Sequence, residues 1–312
     1  MRIVFMGSPQ FSVPSLEQLI INHYNVVAVY TQPDRPSGRG RGLAVSPVKN
    51  AALQWGLPVI QRESLRSEEA LAQMAAIKPD IIIICAFGQV LTQALLDIPP
   101  RQCLNVHFSL LPRHRGASPV ASAILAGDEF TGVSIQLVRA KLDTGPVLAG
   151  AAVPISPLDN TGSLTEKLSI VGAHLLQEAL IGWINDTIKP IAQDETKATY
   201  FGQVRKEEGE IDWKLPAVEI WRRVRAHYPW PGCYTYLKGK LLKINQAAVL
   251  TGSGIMEAGR VVSLPGKEGT IGVVAGDGIL QVLNMQYAGK KAMSDAEFLR
   301  GQRDFLGAKL PN

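Results

Sequence analysis

The sequence predicts an α/β fold, a doubly wound and mostly parallel sheet followed by a small β-barrel. Three observations support that prediction. Apolar strand-like runs alternate with amphipathic segments through the first half of the chain, the order expected of strand–helix–strand units. One of those runs, Asp80-Ile81-Ile82-Ile83-Ile84-Cys85-Ala86, lacks any apolar–polar alternation, as befits a strand covered on both faces. Past residue 206 the runs shorten and glycine turns separate them, the habit of a small barrel.

Taken in order, residues 2–6 and 25–30 read as strands with a helical pattern over 15–22 between them. Residues 49–55 suggest a helix, 58–61 a short strand and 68–77 another helix. The isoleucine strand follows, and a short helix over 92–97 leads to a strand at 102–107. Ser118 before Pro119 offers an N-cap and a first-turn proline for a helix running to Gly127. Strands at 132–138 and 147–155 complete the series, and a long helix over 161–185 closes it. We place a first domain at residues 1–189, a polar irregular linker at 190–206 and a second domain at 207–312. The second domain reads as a helix over 217–226 and strands at 233–237, 241–250, 260–264, 270–275 and 279–287. Lys238-Gly239-Lys240 and Gly276-Asp277-Gly278 supply its turns, and Ser294 with Glu297 forms a capping box for a last helix.

Composition narrows the function classes. With 312 residues, 46% apolar and 19% charged, the chain is ordinary for a globular protein. No apolar run approaches the length of a membrane span or a secretory leader, so a cytoplasmic protein, and by default a monomer, is expected. Cys85, Cys103 and Cys233 lie far apart, without Cys-x-x-Cys or His-Glu-x-x-His spacing, and no metal is expected. Of the 32 basic and 27 acidic side chains, 17 and 16 fall in residues 1–205. The net charge of +5 is therefore concentrated in the last third, a weak pointer to a polyanionic partner.

Two loops interrupt the rhythm. Gly7-Ser8-Pro9-Gln10-Phe11 follows the first strand but is not Gly-x-Gly-x-x-Gly, so dinucleotide binding by that route is poorly supported. Residues 31–46 form a long glycine-containing loop with Arg35, Arg39 and Arg41 set against Asp34 alone. Loops of that length inside a compact domain are usually functional or disordered.

The chemistry concentrates in Cys103-Leu104-Asn105-Val106-His107-Phe108-Ser109-Leu110-Leu111-Pro112 and, further on, Leu142-Asp143-Thr144-Gly145. Asn105 and His107 are two apart and share one face of a strand. Ligands of open α/β sheets bind beyond the carboxyl ends of the strands, and the Asp143 loop is placed to reach the same edge. An amide, an imidazole and a carboxylate gathered there stabilise an oxyanion and move a proton, which is the equipment of acyl transfer. Each signal is weak alone. Strand-end histidines are commonly structural, and Asp-Thr-Gly is commonly a turn. Asp-Thr-Gly is also the triplet of aspartic proteases, but those need two such carboxylates and this chain has one copy. His23, His114, His174 and His227 have no comparable setting and read as surface or packing residues.

Together with Arg115-Gly116-Ala117-Ser118-Pro119, these segments resemble the signature of the folate-dependent formyltransferases. Gln32-Pro33-Asp34-Arg35-Pro36, Ser46-Pro47-Val48-Lys49 and Gly289-Lys290-Lys291-Ala292-Met293-Ser294 extend the resemblance, over nearly the whole chain, to the branch that acts on charged initiator tRNA. The resemblance implies a Rossmann-like domain and an oligonucleotide-binding (OB)-like barrel. It implies formyl transfer from 10-formyltetrahydrofolate to the α-amino group of methionyl initiator tRNA. Asn105, His107 and Asp143 would be catalytic. Ser109, Leu110, Leu111 and Pro112 would contact the folate, with Phe87 and Gly88 lining the pterin pocket. Arg35, Arg39, Arg41 and Lys206 would contact tRNA. Phe108 departs from the family's usual small residue beside the oxyanion site. The rival readings are a formyltransferase for an amino-sugar nucleotide, a formyl-folate hydrolase and a non-catalytic RNA-binding relative.

Overall fold

A computed structural model of the chain describes residues 1–37, 42–250, 257–265 and 270–311. Contacts divide the chain into two units. The first comprises residues 1–119, 130–154 and 165–201, the second residues 120–129, 155–164 and 202–312.

The first unit is built on a seven-stranded sheet. Its strands are β1 (Arg2–Gly7), β2 (Asn25–Thr31), β3 (Val59–Gln61), β4 (Ile81–Cys85), β5 (Cys103–His107), β6 (Phe130–Leu137) and β7 (Val147–Pro154). They lie in the order β7-β6-β5-β4-β1-β2-β3. β1 to β5 are parallel, whereas β6 runs antiparallel to β5 and β7 antiparallel to β6. The mostly parallel sheet read from the sequence is therefore present, with an antiparallel hairpin added at one edge.

Every residue of β4 is buried, because alternate side chains feed two apolar layers. Ile82 and Ile84 join Val4, Met6, Tyr30 and Met74 in one of them. The helices of this unit are α1 (Val13–Ile21), α2 (Pro47–Gln54), α3 (Glu68–Ile77), α4 (Gln93–Leu96) and, from residue 165 on, α6 (Thr161–Ile184), while α5 (Pro119–Ala126) falls, after Pro119, in the second unit. Ser46, Ser67 and Thr92 cap α2, α3 and α4 by accepting a backbone N–H three residues on, each stabilising its helix by about 1 kcal/mol. Pro119 opens α5 and Gly127 follows it with φ +73°, a left-handed exit that suits glycine.

Two hydroxyls of the loop after β1 are committed inside the fold. The Ser8 hydroxyl accepts the Gln32 N–H at 3.1 Å, and Ser12 Oγ donates to the Cys85 carbonyl at 2.7 Å. Residues 31–46, read as an irregular loop, contain a two-stranded ribbon pairing Arg35–Ser37 with Gly42–Ala44. Its root is clamped by Lys49 Nζ, which donates to Asp34 at 2.5 Å and to Gln61 at 2.8 Å. Arg39 and Arg41 lie outside the described residues.

The second unit packs α7 (Ala217–Ala226) on an antiparallel sheet. Its strands β8 (Cys233–Leu237), β9 (Lys240–Leu250), β10 (Val261–Ser263), β11 (Ile271–Val274) and β12 (Ile279–Tyr287) follow the order β8-β9-β12-β11-β10. Irregular register near Gln246 curves the long β9–β12 pair into a half-barrel. Lys238 and Gly239 take φ of +52° and +66°, the two-residue hairpin conformation that the turn sequence foretold. Helix α8 (Asp295–Gly301) begins with the Ser294–Glu297 capping box.

His227, read as a surface or packing residue, is 1% exposed, and its Nε2 has no hydrogen-bond partner among the described residues. Burial holds its pKa below the usual 6.5. The folded ring therefore stays neutral while the unfolded one takes a proton. Stability is expected to fall as pH drops below 6.5, by at most about 1.4 kcal/mol per pH unit, until the depressed folded pKa is reached. Urea midpoints at pH 7.5 and 5.5 check this, and His227→Gln should flatten the difference.

Candidate active site

The register of β5 against β6 assembles a polar strip within an apolar sheet. Asn105 lies opposite Gln136, and His107 opposite Ser134. Directly paired residues share a face, so these four side chains form one patch. Because β6 is antiparallel, its end at Leu137 lies beside Leu104 rather than beside His107. The Asp143 turn therefore reaches His107 by folding back over the polar strip, not by sharing a strand edge with it.

The turn is tightly specified. Asp143 has φ +54°, a left-handed conformation that Asp tolerates better than most residues. Its Oδ2 accepts the Gly116 N–H at 2.8 Å, and its Oδ1 accepts from Gln136 Nε2 at 2.9 Å. His107 Nδ1 stands 3.7 Å from the same Oδ1, an ion-pair separation longer than a hydrogen bond. His107 Nε2 lies 3.0 Å from the His114 carbonyl oxygen. A carbonyl only accepts, so Nε2 carries a hydrogen, which leaves Nδ1 on the Asp143 side. Both side chains are 7% exposed.

Asn105 differs from its neighbours. It is half-buried, and its amide makes no hydrogen bond to the described residues. Ser134, Gln136, His107 and Asp143 are all engaged. The strip thus offers one uncommitted amide donor beside an oriented imidazole and a carboxylate. Burial pushes the Cys103 thiol up to about 12, which rules it out as a nucleophile at neutral pH.

The segment after β5 is folded against the strip. Ser109 is fully buried, its hydroxyl donating to the Arg113 carbonyl at 2.7 Å and its own carbonyl accepting from Ser134 Oγ at 2.8 Å. The Leu111 N–H donates to Ser134 Oγ at 3.0 Å. Leu110, Leu111 and Pro112 are half-buried, and the Leu111–Pro112 peptide is cis. Phe87 is 3% exposed and its carbonyl accepts from Gln32 Nε2 at 3.0 Å, while Gly88 beside it is exposed with φ +81°. Phe108 turns inward and packs 5.4 Å from the Phe11 ring, so its bulk fills the core beneath β5. Arg35 is exposed and makes a loose 3.5 Å pair with Glu63. Lys206 is exposed in the second unit.

Sequence reasoning passed over Ser134 and Gln136. Ser134 and Gln136 were visible as polar residues at alternate positions of an otherwise apolar strand. His114, read as a surface or packing residue, is buried, and its backbone carbonyl accepts from His107.

A twisted, mostly parallel sheet whose one polar strip joins an amide, an imidazole and a carboxylate defines a Rossmann-like acyl-transfer domain. Residues 1–180 match the formyl transferase family and residues 203–303 the formyl transferase C-terminal domain, and the chain belongs to this family. It is 47% identical over 310 residues to the methionyl-tRNA formyltransferase of Dehalococcoides mccartyi, covering 99% of this chain and 98% of that one. Among solved structures, the sugar 3N-formyl transferase WlaRD superposes with a TM-score of 0.66 at 18% identity, covering 93% of this chain and 99% of that one. HypX from Aquifex aeolicus superposes with a TM-score of 0.65 at 18% identity over 99% of this chain. This chain spans about half the length of HypX, 49% of it. Both structural likenesses concern the fold.

Proposed function

We propose that this protein transfers the formyl group of 10-formyltetrahydrofolate to the α-amino group of methionyl initiator tRNA. The products are formylmethionyl-tRNA and tetrahydrofolate. The observation that carries the reading is the likeness to methionyl-tRNA formyltransferases along both units, 47% identity over 99% of the chain. The site supplies the chemistry such a transfer needs. Charged initiator tRNA as substrate favours a cytoplasmic enzyme, and we read it as a monomer by default.

The amine nitrogen attacks the formyl carbon, and the carbonyl oxygen becomes negative. The uncommitted Asn105 amide donates to that oxygen, a contribution worth about 3–4 kcal/mol in comparable oxyanion sites. His107 Nδ1 takes the proton leaving the amine. The resulting imidazolium is then held on both sides, by the His114 carbonyl and by the Asp143 carboxylate. The bond from the formyl carbon to the folate nitrogen breaks, and that nitrogen leaves with the proton from His107. One proton moves from amine to folate, and none is gained or lost. No serine or cysteine nucleophile is required. Ser109 to Pro112, with Phe87 and Gly88, form the folate-facing wall in this reading. The Ser109 hydroxyl already donates to the Arg113 carbonyl, so Ser109 shapes this wall rather than donating to the folate.

In this reading Arg35, Arg39 and Arg41 of the segment 31–46 contact the acceptor stem, and Lys206 a further phosphate. Each is a sequence-independent contact to the backbone. Transfer assays from 10-formyltetrahydrofolate with methionyl-tRNA, an amino-sugar nucleotide or no acceptor test the reading. Tetrahydrofolate release that requires charged tRNA is the expected result. Turnover with the sugar nucleotide alone, or without an acceptor, would overturn it. Arg39→Ala with Arg41→Ala should lower kcat/KM for tRNA at least about tenfold and flatten its salt dependence. The KM for the folate should stay unchanged.

A further inference from the structure

The polar stretch after α6 is engaged with the catalytic turn inside the first unit. Gln193 Nε2 donates to the backbone carbonyls of Asp143 at 2.9 Å and Gly145 at 2.6 Å. Its Oε1 accepts from Arg115 Nε at 3.1 Å and Nη2 at 2.8 Å. Both halves of the amide are therefore committed, which fixes its orientation. A flipped amide would set oxygen against two carbonyls and N–H groups against a guanidinium.

Arg115 is the largest fully buried side chain among the described residues, yet all five of its N–H groups are used. Besides Gln193, Nη2 donates to Glu195 Oε1 at 2.6 Å. Nη1 donates to Glu195 Oε2 at 3.0 Å and to the Tyr200 hydroxyl at 2.6 Å. A buried guanidinium is tolerable only with such full pairing. The surrounding backbone is fixed as well. Arg115–Gly116 pairs with Tyr200–Phe201 as a short parallel ladder. A Cβ on Gly116 would stand 2.2 Å from the Phe201 carbonyl oxygen.

Three consecutive residues thus hold the catalytic pair. The His114 carbonyl orients His107, the Gly116 N–H holds the Asp143 carboxylate, and the Arg115 side chain holds the Asp143 backbone through Gln193. We propose that Gln193, locked by the buried Arg115, is a positioning residue that sets the Asp143 turn for catalysis; the inference rests on Asp143 acting in the proposed formyl transfer. The segment that sequence polarity marks as a linker is, over 193–201, the back wall of the active site.

Gln193→Glu separates this role from simple folding. The carboxylate keeps the acceptor that Arg115 needs but loses both donors and repels the two turn carbonyls. The expected result is a kcat at least about tenfold lower, with KM for both substrates within about threefold, since misplacement of a catalytic group acts on the chemical step. The melting temperature, measured on the same sample, should change little. In an Asp143→Asn background the same substitution should lower kcat by less than about threefold more, because the turn it positions no longer holds the carboxylate. If Gln193→Glu keeps wild-type kcat, or multiplies the Asp143→Asn loss in full, the inference falls while the catalytic reading stands. If Asp143→Asn itself keeps wild-type kcat, the catalytic reading falls and takes the inference with it.

Discussion

Replacing Asp143 by Asn lowers kcat for formyl transfer at least about a hundredfold, the range expected when a charge-stabilising or proton-transfer group is lost. The geometry explains why so small a change is severe. Both carboxylate oxygens accept from fixed donors, the Gly116 N–H and Gln136 Nε2. An Asn side chain has one acceptor, so its NH2 must face one of those donors and the turn is pushed away. The negative charge that balances a protonated His107 across 3.7 Å is lost at the same time. His107→Ala removes the proposed proton carrier and should be at least as damaging. Steady-state kinetics with charged tRNA, varying each substrate in turn, check both. A variant retaining a third or more of the wild-type kcat would dismiss the proposed division of labour.

Gly145→Ala is the second large effect. A Cβ there would stand 1.6 Å from the Leu137 carbonyl oxygen, a backbone atom that cannot swing aside. Leu137 N–H is also bonded to the Pro146 carbonyl at 2.9 Å, so relieving the clash opens the hairpin at its neck. The cost to stability is about 1–3 kcal/mol, as for other overpacked sites. Because Asp143 sits on the same turn, kcat should fall at least about tenfold. Gly150→Ala is the control in the same hairpin. Its nearest neighbouring atom would be 3.9 Å away, and both melting temperature and kcat should match the parent. Equal behaviour of the two variants would refute the steric argument.

Much of the architecture is legible in the residues. The unbroken isoleucine run predicts a central strand buried on both faces, and β4 is that strand. Ser118-Pro119 predicts the start of α5, and Ser294 with Glu297 the start of α8. These signals survive because they are local: a cap or a two-sided strand is decided within a few residues. The antiparallel direction of β6 was not legible. Phe130–Leu137 reads as a strand in either direction, and only its pairing with β5 shows which way it runs.

The candidate trio was legible for the same reason. Asn105 and His107 share a strand face at fixed spacing, and Asp143 stands out in a short polar turn. Their supports were not. Gln193 and Arg115 are 78 residues apart, and nothing in a polar stretch such as Gln193-Asp194-Glu195-Thr196 distinguishes a solvated connector from a row of hydrogen-bond partners. Loss of alternation signals absence of a regular element, not absence of order.

By itself, then, the sequence determined which segments become strands and helices, the face that Asn105 and His107 share, and the kind of chemistry an amide, an imidazole and a carboxylate can perform. Only the tertiary structure decided that, among the described residues, the Asn105 amide has no partner while Ser134, Gln136, His107 and Asp143 are bonded. The tertiary structure alone also decided that the Asp143 turn folds back over the sheet and that Arg115 and Gln193 hold it there. The division has a physical cause. Periodicity and capping are set by neighbours along the chain, whereas hydrogen-bond saturation is settled among groups that meet only after the chain has folded.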